Sequence, residues 1–297
     1  MLDYRIYTFL EVCRYMNFTK AAKSLDITQP AVSQHIRWLE DQYQAAFFKY
    51  QGKKMVLTEE GEVFLNAART FRHDDLYLRQ RIQEMKNRTS KITFGATLTI
   101  GDFVLPQSIG NFIKRNPEVE LSFAIGNTAE LLKKINDGML DFALVEGYFE
   151  KEQYDYRVFS REPFIAVCSP DYHFVKEPKE IKDLLEEPLL IRETGSGTRE
   201  ILEKNLESKN LGITDFKKYS EINSLHAIKS LTEGGCGITF LYRAAVKNEL
   251  RTGTLKEMKL EDFKVIHDFD FVWRKNSIFS KDYFKIFEKL RQAEQDS

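Results

Sequence analysis

The first 45 residues place apolar side chains at the spacing of short amphipathic helices. The spacing predicts one helix over about residues 4–15 and a second over about residues 20–25, with Thr19 as the N-cap of the second. A short turn leads into a third helix, which Thr28 caps, with Pro30 in the first turn where a missing N–H costs nothing. The apolar positions that define this unit are Ile6, Phe9, Leu10, Cys13, Phe18, Ala21, Ala22, Leu25, Ile27, Val32, Ile36 and Leu39.

The third predicted helix has an outer face without large apolar side chains. An α-helix fits the major groove of DNA, where amide side chains contact adenine and arginine contacts guanine or phosphate. An ordinary helical hairpin with a polar surface has the same periodicity, so the helices alone leave both interpretations open. The residues predicted to contact DNA from this helix are Thr28, Gln29, Pro30, Ser33, Gln34 and Arg37.

The segment after the third helix predicts a two-stranded wing. Its hydrophobic runs flank the polar sequence QGKK at residues 51–54, which is typical of a hairpin tip. Lys53 and Lys54 are placed there to contact phosphates or to enter a minor groove. Residues 1–58 also hold eight basic and five acidic side chains, whereas the whole chain has a net charge of -1. A basic N-terminal unit on an acidic remainder favours a polyanionic partner for that unit.

Residues 59–86 predict one long helix, since they contain no proline and their only glycine is Gly61. Apolar side chains recur along it in steps of four and three, a heptad pattern that Asp75 interrupts. This stripe favours pairing with a second copy, with Asp75 setting the register, and packing on the chain's own C-terminal part is the alternative. A polar hinge is expected over residues 86–91. The predicted seam consists of Phe64, Ala68, Phe71, Leu78, Ile82 and Met85.

From residue 91 onward, short apolar strands alternate with amphipathic helices. This alternation predicts an α/β fold with a largely parallel sheet. Two successive sets of elements predict two lobes, lobe I over about residues 91–160 and 268–297 and lobe II over about residues 161–267. Strands are expected near 91–97, 120–126, 140–147, 164–169, 188–193, 217–222, 237–242 and 265–275, and helices near 101–115, 128–137, 180–187, 198–209, 224–234 and 281–292.

Four polar segments lie at predicted helix starts that follow strands, where parallel α/β folds bind their ligands. At residues 193–199, two glycines free backbone N–H groups, Ser196 and Thr198 add hydroxyls, and Arg199 adds a positive charge. This arrangement suits a carboxylate, sulfate or phosphate ester, although a simple capped turn has the same composition. Glu146, after the third strand, would instead reject an anion or pair with an amine. The residues predicted to bind a ligand are Thr97, Thr99, Ile100, Asn127, Thr128, Glu146, Thr194, Gly195, Ser196, Gly197, Thr198, Arg199 and Asn223.

Composition excludes several classes of function. With 42% hydrophobic and 30% charged residues, the chain is expected to be soluble and globular, with two or three domains. It has neither a signal-peptide pattern nor an apolar run of about 18 residues, so a cytoplasmic location is expected. The five histidines lack metal-ligand spacing, and no HExxH, CxxC, GxSxG or P-loop motif occurs. No metal, cofactor or enzymatic activity is therefore predicted, and Cys13, Cys168 and Cys236 lie too far apart to suggest a disulfide framework.

These residues together resemble the LysR-type transcriptional regulators, strongly over residues 1–65 and in pattern beyond. The resemblance implies a winged helix-turn-helix DNA-binding domain at residues 1–58 and a linker and dimerisation helix at residues 59–90. It implies at residues 91–297 an effector-binding domain of two lobes, like that of periplasmic solute-binding proteins. The positions that carry it are Phe18, Thr19, Ala21, Ala22, Leu25, Thr28, Gln29, Pro30, Ala31, Val32, Ser33, Ile36, Leu39, Glu40, Phe47, Phe48, Leu57, Thr58 and Gly61.

The resemblance also implies partners. A small effector would lie between the two lobes and close them, which changes the geometry of a tetramer built from two dimers on a near-palindromic promoter site. That change alters the bend of the DNA and the contact with RNA polymerase. The effector must bind one arrangement of the lobes better than the other, or it shifts nothing.

The chain departs from the family pattern in ways that bear on function. Tyr43 and Gln44 stand where Leu-Gly is common, and Tyr50 replaces a frequent arginine of the wing, so DNA affinity is expected to depend more on the wing lysines. Peroxide-sensing relatives use a cysteine pair near the region of residues 190–210, where this chain has no cysteine. A thiol-based redox sensor is therefore the disfavoured alternative. A solute-binding receptor is the other alternative, and the N-terminal unit opposes it.

Overall fold

The N-terminal unit, here called the head, consists of three helices and a two-stranded wing. The computed structural model describes residues 2–87 and 90–295 of the chain. The third helix begins after Thr28, whose hydroxyl accepts a hydrogen bond from the N–H of Ala31 at 3.3 Å, which confirms the predicted cap. The elements are α1 (Tyr4–Tyr15), α2 (Phe18–Ser24), α3 (Gln29–Tyr43), β1 (Phe48–Gln51) and β2 (Lys54–Leu57).

Two local predictions for the head are wrong. The N-cap of α2 is Asn17 rather than Thr19, because the Asn17 carboxamide accepts the N–H of Lys20 at 2.9 Å. Ile27 lies in the turn before α3 and is 37% exposed rather than buried.

Gln44 ends α3 with a φ of 51°, a left-handed conformation that explains why glycine is common at this place in the family pattern.

The head has an apolar core of its own. Phe9 is fully buried at its centre, and its ring meets those of Phe47 and Phe64 edge to face at centroid distances of 5.3 and 4.7 Å. Phe64 and Ala68 from the long helix α4 (Glu59–Asn87) complete this core. Both residues are buried within their own chain, so the prediction that they belong to a dimer seam is wrong.

The rest of α4 has one face against the C-terminal part and one face in solvent. His73, Asp74 and Tyr77 are buried, and the Ser277 hydroxyl donates to Asp74 at 2.6 Å. Asp75 accepts hydrogen bonds from the Tyr7 hydroxyl at 3.1 Å and from Arg79 within the same chain. The remaining members of the predicted seam are exposed: Phe71, Leu78, Ile82 and Met85.

The C-terminal part is built on one mixed sheet of nine strands, in the order β4-β3-β5-β11-β6-β9-β7-β8 with β10 paired to β6. Strands β3, β4 and β5 run parallel to one another, and so do β7, β8 and β9, whereas β6, β10 and β11 run antiparallel to their neighbours. The strands are β3 (Ser90–Ala96), β4 (Val119–Ile125), β5 (Phe142–Val145), β6 (Tyr154–Cys168), β7 (Pro188–Ile191), β8 (Lys218–Glu221), β9 (Ile238–Tyr242), β10 (Lys256–Met258) and β11 (Val265–Arg274).

The prediction of a largely parallel sheet is therefore correct for the set β3, β4 and β5 and for the set β7, β8 and β9, but it is wrong for the sheet as a whole. We keep the name lobe I for the side with β3, β4 and β5 and lobe II for the side with β7, β8 and β9. The long strands β6 and β11 pass from one side to the other, since β6 pairs with β9 and β11 pairs with β5. The exact residue boundaries between lobes stay a prediction. A two-lobed α/β architecture with shared crossing strands results.

Helices cover both faces of the sheet, with some departures from the predicted pattern. A π-helical turn at Ile100–Val104 precedes the helix expected from residue 101, and the helix expected at residues 180–187 is a single 3₁₀ turn at Ile181–Leu184. Neither α9 nor β10 was expected from the sequence. The helices are α5 (Leu105–Arg115), α6 (Thr128–Asn136), α7 (Gly197–Glu207), α8 (Leu225–Glu233), α9 (Lys247–Thr252) and α10 (Ser280–Gln295).

A buried arginine joins α4 to lobe I. Arg274, at the end of β11, is fully buried and donates to the Asn136 side chain at 2.8 Å and to the Asn66 carbonyl at 2.9 Å. It also donates to the Thr70 hydroxyl of α4. The predicted hinge over residues 86–91 includes Arg88 and Thr89, which lie outside the described residues. Across residues 2–87 and 90–295, the structure has no helix with the length and hydropathy of a membrane span.

Candidate nucleic-acid interface and ligand site

The outer face of α3 presents the predicted polar residues to solvent. Thr28, Gln29 and Pro30 are exposed at its start, and the Gln29 amide donates to the Ser33 hydroxyl at 2.9 Å. Ser33 itself is half-buried, whereas Gln34 and Arg37 are exposed. Because their hydrogen-bonding groups face outward, these side chains are available to the edges of bases in a groove.

The wing stands beside α3 and encloses a concave surface with it. Lys53 and Lys54 are both exposed, and Gly52 between the two strands takes a φ of 62°, a conformation that favours glycine. Tyr50 is 70% exposed on the same hairpin. The concavity has a volume of about 600 Å³ and is lined by Asn17, Thr19, Gln29, Ser33, Arg37, Tyr50 and Lys53, among others. It brings helix and wing residues together, and it includes Asn17 and Thr19, which were not predicted as contacts.

The second candidate site is a buried polar cluster where the lobes meet. Thr198, in the first turn of α7, donates its hydroxyl hydrogen to Oε1 of Glu146 at 2.7 Å. The Thr99 hydroxyl lies 3.5 Å from that of Thr198, so lobe I and lobe II residues contact each other directly. Eight of the predicted ligand residues are buried in this part of the lobes, with Ile100 packed into the apolar core: Thr97, Thr99, Ile100, Thr128, Glu146, Ser196, Gly197 and Thr198.

Two glycines allow the lobes to approach this closely. A Cβ atom on Gly197 would lie 2.9 Å from the backbone N of Gly147 and 2.9 Å from Cγ of Glu146. A Cβ atom on Gly147 would lie 3.3 Å from Cα of Gly197 in the other lobe and 2.5 Å from the Thr128 hydroxyl in its own lobe. Any larger residue forces atoms at these positions to move, so this contact between the lobes depends on glycine.

The carboxyl group of Glu146 is buried. Its side chain is only 2% exposed, and desolvation raises the pKa of the carboxyl, partly offset by Thr198, Thr99 and the Arg192 guanidinium. Within the described part of the chain, Oε2 of Glu146 has no hydrogen-bond partner. The same holds there for the hydroxyls of Thr97, Thr128 and Tyr242. Buried polar groups in proteins are nearly always paired, so this cluster combines several polar atoms that the described chain leaves unsatisfied.

Five predicted ligand residues do not join the cluster. The Arg199 guanidinium is held by Glu203 at 2.7 Å and Glu221 at 2.5 Å, and it therefore lies outside the cluster. Asn127 is the N-cap of α6 in a capping box with Glu130. The other three are exposed: Thr194, Gly195 and Asn223.

Arg192 is the positive charge that the sequence prediction missed. It follows β7, is 5% exposed, and its Nε donates to Glu193 at 2.8 Å. Its Nη1 has no partner among residues 2–87 and 90–295. A basic residue directly after a buried strand was the available signal, as was Tyr242 at the end of β9.

A groove opens beside the closed cleft, between the starts of α6 and α7. Its volume is about 480 Å³, and Thr128 and Ser196 of the buried cluster form part of its wall. Aromatic and acidic side chains form much of the rest: Tyr148, Phe149, Tyr154, Glu150, Glu200 and Glu203. The amine of Lys204 lies 3.0 Å from the centre of the Tyr148 ring, so a cation of the chain itself contacts this surface.

The cysteines lie apart from the cluster. Cys168 is buried in β6, where desolvation raises the pKa of the thiol to about 11, and Cys236 is exposed in the turn before β9. A thiolate is the reactive form, so burial disfavours that form of Cys168. In the residues that the structure describes, no group of three or more His, Cys, Asp or Glu side chains is placed to hold a metal ion.

Two family models match this chain. The model described as "Bacterial regulatory helix-turn-helix protein, lysR family" matches residues 4–62, and that described as "LysR substrate binding domain" matches residues 86–292. Among curated proteins, the transcriptional activator CmpR of Synechocystis sp. is 29% identical over 273 residues, which cover 92% of this chain and 89% of CmpR. The transcriptional regulator CysL of Bacillus subtilis is 29% identical over 263 residues, covering 87% of this chain and 86% of CysL.

Solved structures agree with this fold. Full-length LysG from Corynebacterium glutamicum, with bound effector Arg, has a TM-score of 0.65 at 15% identity, and the match covers 100% of this chain and 99% of that one. The regulatory domain of CcmR from Synechocystis, in complex with 2-PG, has a TM-score of 0.62 at 20% identity and covers 70% of this chain and 98% of that one. The chain belongs to the LysR family and is a DNA-binding transcriptional regulator with a C-terminal effector-binding domain.

Proposed function

We propose that two copies of this chain insert the start of α3 into successive major grooves of a near-palindromic promoter site. Gln29, Ser33 and Arg37 contact bases or adjacent phosphates, while Lys53 and Lys54 of the wing hold the flanking backbone. The observation that carries this proposal is the concave surface that α3 and the wing form together. A location in the cytoplasm, where such DNA is found, belongs to the same proposal.

A gel shift tests this function. Full-length protein should retard DNA from upstream of its own gene at lower concentrations than random DNA of the same length, and the affinity for both should fall as salt is raised. Equal affinity for the two DNAs at every salt concentration would contradict the proposal of a specific operator.

We propose that the exposed stripe of α4 pairs two copies. Phe71, Leu78, Ile82 and Met85 form an apolar stripe on a helix whose other face is already buried in its own chain. Burying such a stripe against a second copy stabilises a dimer. A tetramer of two dimers and a contact with RNA polymerase complete the proposal.

Sedimentation velocity tests the pairing. Ile82→Glu should shift the protein to a smaller species at micromolar concentration, because it places a charge within the stripe. Gln83→Glu, on the next residue and also exposed, is the matched control and should leave the size unchanged. An unchanged size for both variants would place the dimer contact elsewhere.

We propose that a small charged effector binds between the lobes, at the cluster around Glu146 and Thr198. The unpaired buried groups support this position, and Arg and 2-PG in the LysG and CcmR structures are small charged molecules. The effector stabilises one arrangement of the lobes, which changes the spacing of the heads on DNA. The expected anionic character of the effector stays a prediction, because the Arg199 guanidinium is already paired.

A reporter gene driven by the chain's own promoter tests the location. Thr198→Val removes the hydroxyl that donates to Glu146 and should abolish the response to growth conditions that alter expression from the wild type. Thr194→Val, in the exposed part of the same loop, should respond normally. An unaltered response of the Thr198 variant would place the effector elsewhere.

A further inference from the structure

We propose that the effector is an amino-acid-like zwitterion, whose ammonium group binds Glu146 and whose carboxylate binds Arg192. This inference rests on the proposed function, in which an effector occupies the cleft between the lobes. It adds the chemical class of the effector and the residue that each of its charges meets.

Glu146 is placed to bind a cationic donor. One carboxylate oxygen is fixed by the Thr198 hydroxyl at 2.7 Å, and the other has no partner in the described residues although the side chain is 2% exposed. A buried carboxylate without a cation is costly, and an ammonium group offers both the charge and the N–H donors that it lacks. Thr97 and Tyr242 lie near Glu146 with hydroxyls that can accept further hydrogen bonds from the same ammonium group.

Arg192 is placed to bind the opposite charge of the same molecule. Its guanidinium holds Glu193 through Nε and Nη2, while Nη1 is buried and without a partner in the residues described. It lies close enough to Glu146 for its charge to lower the pKa of that carboxyl. A carboxylate that accepts from Nη1, beside the N-terminal end of α7, would complete the arginine's hydrogen bonds.

The groove that leads to the cluster favours the same class. It combines the aromatic rings of Tyr148, Phe149 and Tyr154 with the carboxylates of Glu150 and Glu200. Aromatic faces and carboxylates both attract ammonium and guanidinium groups. Thr128 and Ser196 belong to both the groove and the cluster, so the groove borders the buried carboxylate of Glu146.

Other classes of effector fit the charges less well. A simple anion would lie against the buried carboxylate, and Arg199, the cation expected from the sequence to hold it, is occupied by Glu203 and Glu221. A neutral molecule leaves both Glu146 and Arg192 without an opposite charge on the ligand. A zwitterion satisfies both groups and adds no net charge to the closed cleft.

Calorimetric titration of the full-length protein tests the inference. The probes are the twenty common amino acids with ornithine, citrulline and 4-aminobutyrate, followed for each binder by the matching amine without the carboxylate and the matching 2-oxo acid without the amine. We expect at least one zwitterion to bind, and both truncated forms to bind at least tenfold more weakly. Glu146→Gln and Arg192→Gln should each lower the affinity for the zwitterion at least tenfold. Glu207→Gln, at an exposed position of α7, should leave that affinity unchanged.

Two results would overturn the inference. One is that no zwitterion binds, although circular dichroism shows that the protein is folded and a gel shift shows that it binds its operator DNA. The other is that an amine-free carboxylate or phosphate binds at least as tightly and is unaffected by Glu146→Gln. Arg192→Lys, which keeps the charge, replaces Arg192→Gln if that variant fails to fold. Loss of specific DNA binding by the wild type would instead contradict the proposed function, so the two failures are distinguishable.

Discussion

The head and the lobes use polar side chains in opposite ways. In the head, aromatic and aliphatic side chains form the core around Phe9, and the polar groups of Gln29, Gln34 and Arg37 face solvent. At the lobe contact, Glu146 and Thr198 are buried, and several hydrogen-bonding atoms around them have no partner in the described chain. The head holds its functional groups ready for a large partner, whereas the lobes hold theirs in a closed interior.

This difference predicts where each region gains or loses stability. Exposed polar groups of the head cost nothing in the absence of DNA, because water satisfies them. Unpaired groups in the cleft lower the stability of the free protein, and a ligand that pairs them restores it. The variants below test this contrast, from the largest expected effect to the smallest.

Phe9→Ala should have the largest effect, because it leaves a cavity at the centre of the head core. Truncating a fully buried phenylalanine costs about 3–5 kcal/mol. The head core and the core of the lobes are separate clusters of buried residues, so we expect a lost DNA gel shift with a retained thermal transition of the lobes. Tyr15→Ala, at the exposed end of the same helix, is the control. Loss of both transitions together would show that head and lobes unfold as one unit.

Gly197→Ala should have the next largest effect, because its new methyl group would lie 2.9 Å from the Gly147 backbone. Overpacking of this kind costs about 1–3 kcal/mol and here should force the lobes apart. We expect lower thermal stability and a weakened transcriptional response, with DNA binding intact. Gly110→Ala, where a Cβ atom meets open space, is the matched control. A variant as stable as the wild type would show that the two lobes can separate freely.

Gln29→Ala should affect affinity rather than stability. Loss of a base contact costs about 1–3 kcal/mol on the cognate site and little on random DNA. Lys53→Ala should instead weaken binding to both DNAs by the same factor. It should also reduce the slope of log affinity against log salt concentration by about one. Gel shifts at several salt concentrations measure both, with the exposed Gln42 at the far end of α3 changed to Ala as the control. Equal losses on both DNAs for Gln29→Ala would show that this residue does not contact bases.

The sequence predicted the head better than the cleft for a physical reason. Helical spacing decides which side chains of α3 point outward, so Gln29 and Arg37 were found from local pattern alone. The two hydrophobic runs that flank residues 51–54 also predicted the wing with Lys53 at its tip. The heptad pattern was less informative, because Phe64 meets the spacing rule while packing into the head of its own chain.

In the cleft, the decisive contacts join residues that are far apart in sequence. Thr198 and Glu146 meet only because the two lobes contact each other there, and Arg199 is taken by Glu221 of the next strand rather than by the cleft. Local sequence identified the helix starts but not which side chain of each loop turns inward. Arg192 was missed for this reason, since its position directly after a buried strand does not decide whether its side chain turns inward or outward.

Glu146→Gln gives the smallest expected effect and the sharpest test of the contrast, because it should stabilise the free protein. The amide can still accept from Thr198, and it removes a desolvated charge, so we expect a rise in Tm of about 2–4 °C at pH 8. Burial raises the pKa of this carboxyl, so the native state takes up a proton at a higher pH than the unfolded state does. The stability of the wild type relative to the variant therefore falls as the pH rises from the pKa of the unfolded state through the higher pKa of the native state. The difference in Tm between the two proteins should accordingly shrink from pH 8 to pH 5. Scanning calorimetry of the wild type, Glu146→Gln and the exposed control Glu207→Gln at both pH values measures this. A lower Tm for Glu146→Gln at both pH values would mean that Arg192 and the surrounding hydroxyls already compensate the charge, and the lobes would then hold a satisfied interior like that of the head.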